Sequence, residues 1–233
     1  MYKNHKSKIY DNTECNILFI THEEDKIQDL KNKYSNKINI LDVIHIQDDK
    51  YIENITIINL KELLYNYNKH YVDEKNLPEN SKVSYGCFYS SLKKHYLYNY
   101  IKKYNLNQSF DYIMVTRTDL FFYNELKFNE LSDDTIYMSS LYMRDDIINN
   151  KNTTYYWNSD CERFRNLDTC MLFKSNTNTI NVLNTEIVNY IGVGKTAEKL
   201  FLHNILNNGL RYKNIEELNN FIYRSKKKLW NGK

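Results

Sequence analysis

The stretch "FDYIMVTRTDLFF", Phe110 to Phe122, decides how this chain is read. Tyr112, Ile113, Met114 and Val115 form a short apolar run rich in the side chains that suit a buried strand. Thr116, Arg117, Thr118 and Asp119 follow at once, so a base and an acid stand where the strand should end. In α/β sheets, ligands gather at the C-terminal ends of strands. If the strand stays extended through Asp119, period two puts Arg117 and Asp119 on one face. Asp119 then suits a hard divalent ion that bridges to a diphosphate, and the planar fork of Arg117 suits a phosphate. The other reading is that the two simply pair with each other at a strand end.

Upstream of this stretch, "SYGCFYSSLKKHYLYNYIKKYN" stacks Phe88, Leu92, Tyr96 and Tyr100 at four-residue intervals, which predicts a long helix with Lys93, Lys94, Lys102 and Lys103 facing elsewhere. Earlier, "CNILFITHEED" reads as a strand feeding a loop and a helix over Asp25 to Tyr34. "INILDVIHI" and "NITIINL" read as two more strands. Leu60, Leu63, Leu64 and Tyr67 then mark one face of a helix, and "KNLPENSK", with the only Pro, is a loop. Downstream, "TIYMSS" and "DTCMLFKS" are strands, separated by a polar, aromatic and aperiodic segment long enough to serve as a lid or binding loop. Within it, Tyr155, Tyr156 and Trp157 offer faces for a sugar ring, although a chain with 22 Tyr produces such clusters anyway. Two helices are expected next, one with Ile180, Leu183, Ile187, Val188 and Ile191 on a face and one from about Thr196 to Leu206, closed by Asn207-Asn208-Gly209.

Between those helices lies "IGVGKTAEKL", Ile191 to Leu200, which looks like the second half of a phosphate-gripping P-loop. A P-loop needs a Gly five residues before Gly194 and a strand directly upstream, but Asn189 holds that position and the upstream pattern is helical. The stretch therefore reads as a turn in which Gly192 and Gly194 end one helix and Thr196 caps the next. Glu198 falls in the first turn of that second helix, where the macrodipole favours an acid.

Composition bounds the remaining choices. At 233 residues, with 42% hydrophobic residues, one Pro and five Gly, the chain suits one α/β domain. A net charge of +3 is too mild for a nucleic-acid protein, and the only dense basic patch, Lys226, Lys227 and Lys228, belongs to a short tail over 226–233. The four Cys show no metal-ligand spacing and read as reduced thiols. The first residues show no apolar leader and no run long enough to span a bilayer, so a cytoplasmic location is expected.

Taken in order, the basic Tyr-rich helix, "FDYIMVTRTDLFF", "TIYMSS", the long loop, "LDTCMLFKSN" and "AEKLFLHNILNNGLRYKNI" resemble the nucleotide-sugar glycosyltransferases of GT-A fold. More narrowly, they resemble the small capsule-type and large-DNA-virus members that carry R-x-D in place of D-x-D, over roughly residues 85–224. The resemblance implies an α/β, Rossmann-like fold with a mixed, mostly parallel central sheet flanked by helices. It implies a donor half over about 1–120, an acceptor half over about 121–225, and residence in the cytoplasm, of a host cell if the chain is viral. The implied partners are a UDP- or GDP-linked sugar and a glycan acceptor, with no nucleic acid.

The implied roles follow the motif residue by residue. Asp119 would hold manganese or magnesium against the donor diphosphate. Arg117, standing where the family pattern has its first Asp, would neutralise phosphate and lessen the need for a metal. Glu198 matches the acid that serves as general base in inverting members, and Asp168 matches an acid beside the acceptor pocket. His203 is a weak second metal candidate, because five residues from Glu198 is about 140° around a helix. Thr21 and His22, at the end of the first strand, fall near the nucleotide base by fold analogy.

Two other readings stay in view. The missing first Asp permits a catalytically inactive GT-A-like carbohydrate-binding or assembly module. A nucleotidyltransferase would need a Gly-rich basic loop after the first strand, and "FITHEEDKI" is acidic and has no Gly.

Overall fold

The computed structural model describes residues 2–21, 23–34, 39–47, 51–52, 55–56, 61–66, 69, 85–118, 120–127, 131–139, 170–185, 201, 204–218 and 220–222. In chain order these residues form α1 (Tyr2–Lys8), β1 (Asn16–Thr21), α2 (Asp25–Tyr34), β2 (Asn39–His45), β3 (Tyr51–Ile52), β4 (Ile55–Thr56), α3 (described over 61–66) and α4 (Tyr85–Lys103). They continue with β5 (Tyr112–Thr116), β6 (Leu120–Phe122), β7 (Thr135–Ser139), β8 (Cys170–Lys174), β9 (Arg211–Ile215) and β10 (Asn220–Ile222). The chain is mixed α/β.

β1 and β2 pair in parallel across α2, the crossover that parallel strands require. Phe19 of β1, Val43 of β2 and Tyr34 of α2 are buried together, with the Phe19 and Tyr34 rings 5.0 Å apart. α2 runs over the residues that the sequence predicts. β3 and β4 form a two-residue-per-strand hairpin.

The main sheet has the order β5-β8-β7-β9. β8 is antiparallel to both β5 and β7, and β9 is parallel to β7. Three strands therefore run one way, with β8 reversed among them. The expected mixed sheet is present, but the ladder is not mostly parallel, since the reversed strand makes two of the three described interfaces antiparallel. β8 follows β7 in the chain and lies antiparallel beside it, as sequential neighbours in a sheet commonly do.

β8 shows why its sequence does not alternate. Met171 and Phe173 face one buried cluster with Ile136, Met138, Ile101, Phe201 and Ile205, while Cys170 and Leu172 face another with Tyr137, Leu120, Phe122 and Leu218. A strand covered on both faces reads as a continuous apolar run. Each such buried side chain contributes roughly 1.5–3 kcal/mol relative to exposure.

Several expectations about helices change. Leu64 is fully buried but Leu63 is 45% exposed, so the described part of α3 does not bury the whole predicted stripe. α4 buries a wider arc than the Phe88, Leu92, Tyr96, Tyr100 row: Ser91, Lys94, His95 and Ile101 are buried too. The expectation that Lys94 faces away from the core is therefore corrected. Lys94 adjoins Ile101 on the helical wheel, and its Nζ lies 3.9 Å from the centre of the Phe201 ring.

After β8, Thr179–Leu183 is a 3-10 helix rather than the start of an α-helix. Asn176 Oδ1 accepts the N–H groups of Asn178 and Thr179, and Thr179 Oγ1 donates to the Lys174 carbonyl, a tight local turn that winds the backbone early. The later helix ends as expected. Gly209 has φ +65°, its N–H donates to the Leu206 carbonyl, and Leu210 N–H donates to the Ile205 carbonyl. Those two bonds make a Schellman close, with Ile205 and Leu210 in the same core cluster.

Candidate functional site

β5, β7 and β9 end at one edge of the main sheet, with Thr116, Ser139 and Ile215, and β8 begins there with Cys170. Thr116 is directly opposite Cys170, and Ser139 is opposite Ile215. Arg117 follows Thr116 and is exposed. Both ends of the 140–169 segment also fall at this edge, since it departs after Ser139 and returns at Cys170.

The stretch expected to be one strand is two. β5 stops at Thr116, Thr118 lies in a turn, and β6 starts at Leu120 in a different sheet, paired antiparallel with β10. The period-two argument that set Arg117 and Asp119 on one face therefore does not apply. Over its five residues β5 pairs with β8, from Tyr112 opposite Lys174 to Thr116 opposite Cys170. What starts β6 is a second set of partners, β10 on one side and α1 on the other.

That α1 contact is built from side chains. Asn4 Nδ2 donates to the Phe122 carbonyl at 2.9 Å, and Asn4 Oδ1 accepts the Phe122 N–H at 2.8 Å. His5 Nε2 lies 2.6 Å from the Leu120 carbonyl, so that nitrogen carries the proton. The His5 ring is 2% exposed and meets Phe122 and Tyr10 edge-on, at centroid separations of 5.5 and 6.2 Å. Leu126 N–H completes the contact by donating to the Lys8 carbonyl at 2.7 Å.

The Cys170 thiol beside Thr116 is wholly buried. Desolvation pushes it up to about 12, partly opposed by a hydrogen bond with the Thr116 side chain, so it is no nucleophile near neutral pH. Cys15 is also raised by burial.

At the end of β1, Thr21 is buried and its hydroxyl accepts the Glu23 N–H at 3.0 Å, while its carbonyl accepts the Ile46 N–H at 2.8 Å. Thr21 thus shapes the turn into α2. His22, Asp119, Asp168, Glu198 and His203 lie outside the described residues, as do Tyr155, Tyr156, Trp157, "GVGKT" and the tail from Lys226. The described part of the edge accordingly brings together Thr116, Arg117 and Cys170.

No group of three or more His, Cys, Asp or Glu suited to a metal forms among the described residues. The group nearest the β5 turn is a guanidinium, which attracts anions and does not ligate cations. Glu216 and Glu217 follow β9, three strand spacings or roughly 14 Å across the sheet. The metal candidates Asp119 and His203 lie outside the described residues, so what the described residues present at this edge is the Arg117 guanidinium, which suits an anion. No helix of the described residues is long and apolar enough to cross a membrane.

Sequence reasoning missed the buried polar row on α4. Thr185 Oγ1 donates to the Ser91 carbonyl at 2.8 Å, Lys94 Nζ donates to Ser90 Oγ at 3.1 Å, and Lys94, His95 and Ser91 are nearly inaccessible. The signal was Tyr98 and Ile101, which extend the apolar arc beyond the row of four-residue steps. No family model, curated protein or solved structure matches this chain.

Proposed function

We propose that this chain is a GT-A-like glycosyltransferase that moves a sugar from a UDP- or GDP-linked donor to a glycan or other hydroxyl acceptor. The observation that carries the reading is the exposed Arg117 in the turn that ends β5, at the sheet edge where both ends of the 140–169 segment also lie. A planar guanidinium there suits the bidentate grip of a phosphate. A parallel β1–α2–β2 unit is further support, being of the kind that binds nucleotides at strand C-termini.

In this reading Arg117 binds the donor diphosphate and stabilises the charge that develops as the sugar bond breaks. Glu198 takes the proton from the acceptor hydroxyl, and Asp168 orients the acceptor. Thr21 and His22 border the nucleotide base. A manganese or magnesium ion on Asp119, with His203 as a second ligand, belongs to the proposal as added positive charge on the diphosphate, and no step depends on it.

The test is thermal shift and equilibrium binding with UDP, GDP, their common sugars and ATP, with and without manganese. Binding of one nucleoside diphosphate that weakens at least tenfold in Arg117→Ala supports the reading, since one charge-assisted phosphate contact contributes about 1.5–3 kcal/mol. Enhancement by manganese that vanishes in Asp119→Ala supports the metal. Absence of any nucleotide response shifts the weight to a catalytically inactive carbohydrate-binding or assembly module, and a response to ATP alone revives the P-loop reading.

A further inference from the structure

We infer that α1 is a latch that sets the position of the turn carrying Arg117, with His5 and Asn4 as its positioning residues. The argument begins with strand geometry. In β6 the backbone groups of Leu120 and Phe122 point to one edge and those of Phe121 to the other. Side chains of α1 reach the Phe122 N–H and carbonyl and the Leu120 carbonyl, which puts those groups on the edge away from β10 and leaves Phe121 to face it. A strand edge in this state needs partners.

α1 supplies them without being a strand. His5 donates to the Leu120 carbonyl, and the Asn4 amide closes a two-bond ring with Phe122 N–H and C=O, all across more than 110 residues of sequence. These are the groups a third strand would have used. A seven-residue helix is too short to hold itself in water, so α1 and the edge of β6 stabilise each other.

The consequence falls on the turn. Arg117 and Thr118 are tethered at one end by Thr116 opposite Cys170 and at the other by Leu120, whose carbonyl His5 holds. Loss of the His5 bond frees the second tether only. The turn then samples more positions, while β5, β7 and β8 keep their ladder. The effect on ligand binding rests on the function proposed above; the effect on the backbone does not.

The test is hydrogen–deuterium exchange on the full chain, comparing wild type with His5→Ala, His5→Gln and Asn4→Ala. His5→Ala and Asn4→Ala are expected to speed exchange over 117–122 at least tenfold while peptides covering β7 and β8 stay unchanged. His5→Gln, whose amide can still donate to the Leu120 carbonyl, is expected to restore most of the protection. Unchanged exchange over 117–122, or a uniform rise over every strand, overturns the latch. If wild type binds UDP or GDP, His5→Ala is expected to weaken that binding at unchanged stoichiometry, and equal affinity overturns the link from latch to ligand. If wild type binds no nucleotide, the proposed function falls and the exchange pattern still decides the latch.

Discussion

β5 and β6 are apolar runs separated by only Arg117, Thr118 and Asp119, and they differ in much of what holds them. β5 is the end strand in the described main sheet, with five paired residues, and β6 has three pairs with β10 plus a helix that stands in for a neighbour. β5 owes its place to an unbroken five-residue ladder with β8, its own side chains only half-buried against the two core clusters. β6, with three pairs, buries Leu120 and Phe122 fully in a core cluster and adds a handful of directed hydrogen bonds from residues far away in sequence. The contrast teaches that an apolar run announces burial, whereas the partner it joins is decided elsewhere in the chain.

The comparison is broken most severely from the core side. Phe173→Ala, at a fully buried position in β8, is expected to cost about 3–5 kcal/mol and to lower the midpoint of a single cooperative urea transition. Labelling of the buried Cys170 thiol should accelerate in step with it, and a β8 that loosens without global loss would show that the sheet is less cooperative than its packing suggests. On the latch side, Asn4→Ala leaves the Phe122 N–H and carbonyl without their side-chain partner and is expected to cost about 1–3 kcal/mol. The same denaturation curve measures it, and a cost equal to that of Phe173→Ala would erase the distinction between the two regions.

Smaller effects sharpen the picture at the margins. Gly209→Ala places a Cβ where nothing lies within 4 Å, so its cost is left-handed backbone strain alone, about 1 kcal/mol by thermal denaturation. At the opposite edge of the main sheet, Arg211 forms a two-pronged pair with Asp134, at 2.8 and 3.0 Å. The hydrogen bond from Arg211 chiefly holds the Asp134 carboxyl below its ordinary 3.8. A depressed carboxylate stabilises the fold above its ordinary value and loses that contribution as pH falls through the depressed one. Arg211→Ala is expected to return the Asp134 titration toward 3.8 by NMR, with no loss of structure at neutral pH because the pair is exposed.

Much of this architecture was legible from local pattern. α2, three of the four main-sheet strands (β5, β7 and β8) and the Gly209 helix stop follow from periodicity, β-branched content and the conformational freedom of glycine, whereas β9 was not anticipated from pattern. What was not legible depends on distant partners. Nothing in "FDYIMVTRTDLFF" says that its second half pairs with β10 in another sheet, or that Asn4 and His5 wait for Phe122 and Leu120. The buried side of Lys94 was hidden for a related reason, since a lysine can bury its stem and charge against an aromatic face that lies over a hundred residues on. Within the candidate site, Thr21 and Arg117 are the predicted residues that fall among those described, one shaping a turn and the other exposed in one.

The place where β7 hands over to β8 has an evolutionary meaning. Met138 and Met171 are direct partners, so the chain between these strands starts and finishes at neighbouring points. Its length is therefore free of any distance the core must keep, and doubling such a segment costs only about 0.6 kcal/mol in closure entropy. Descendants of this fold can lengthen, shorten or rewrite 140–169 without changing the distance between the paired ends of β7 and β8, which makes that edge tolerant of new sequence.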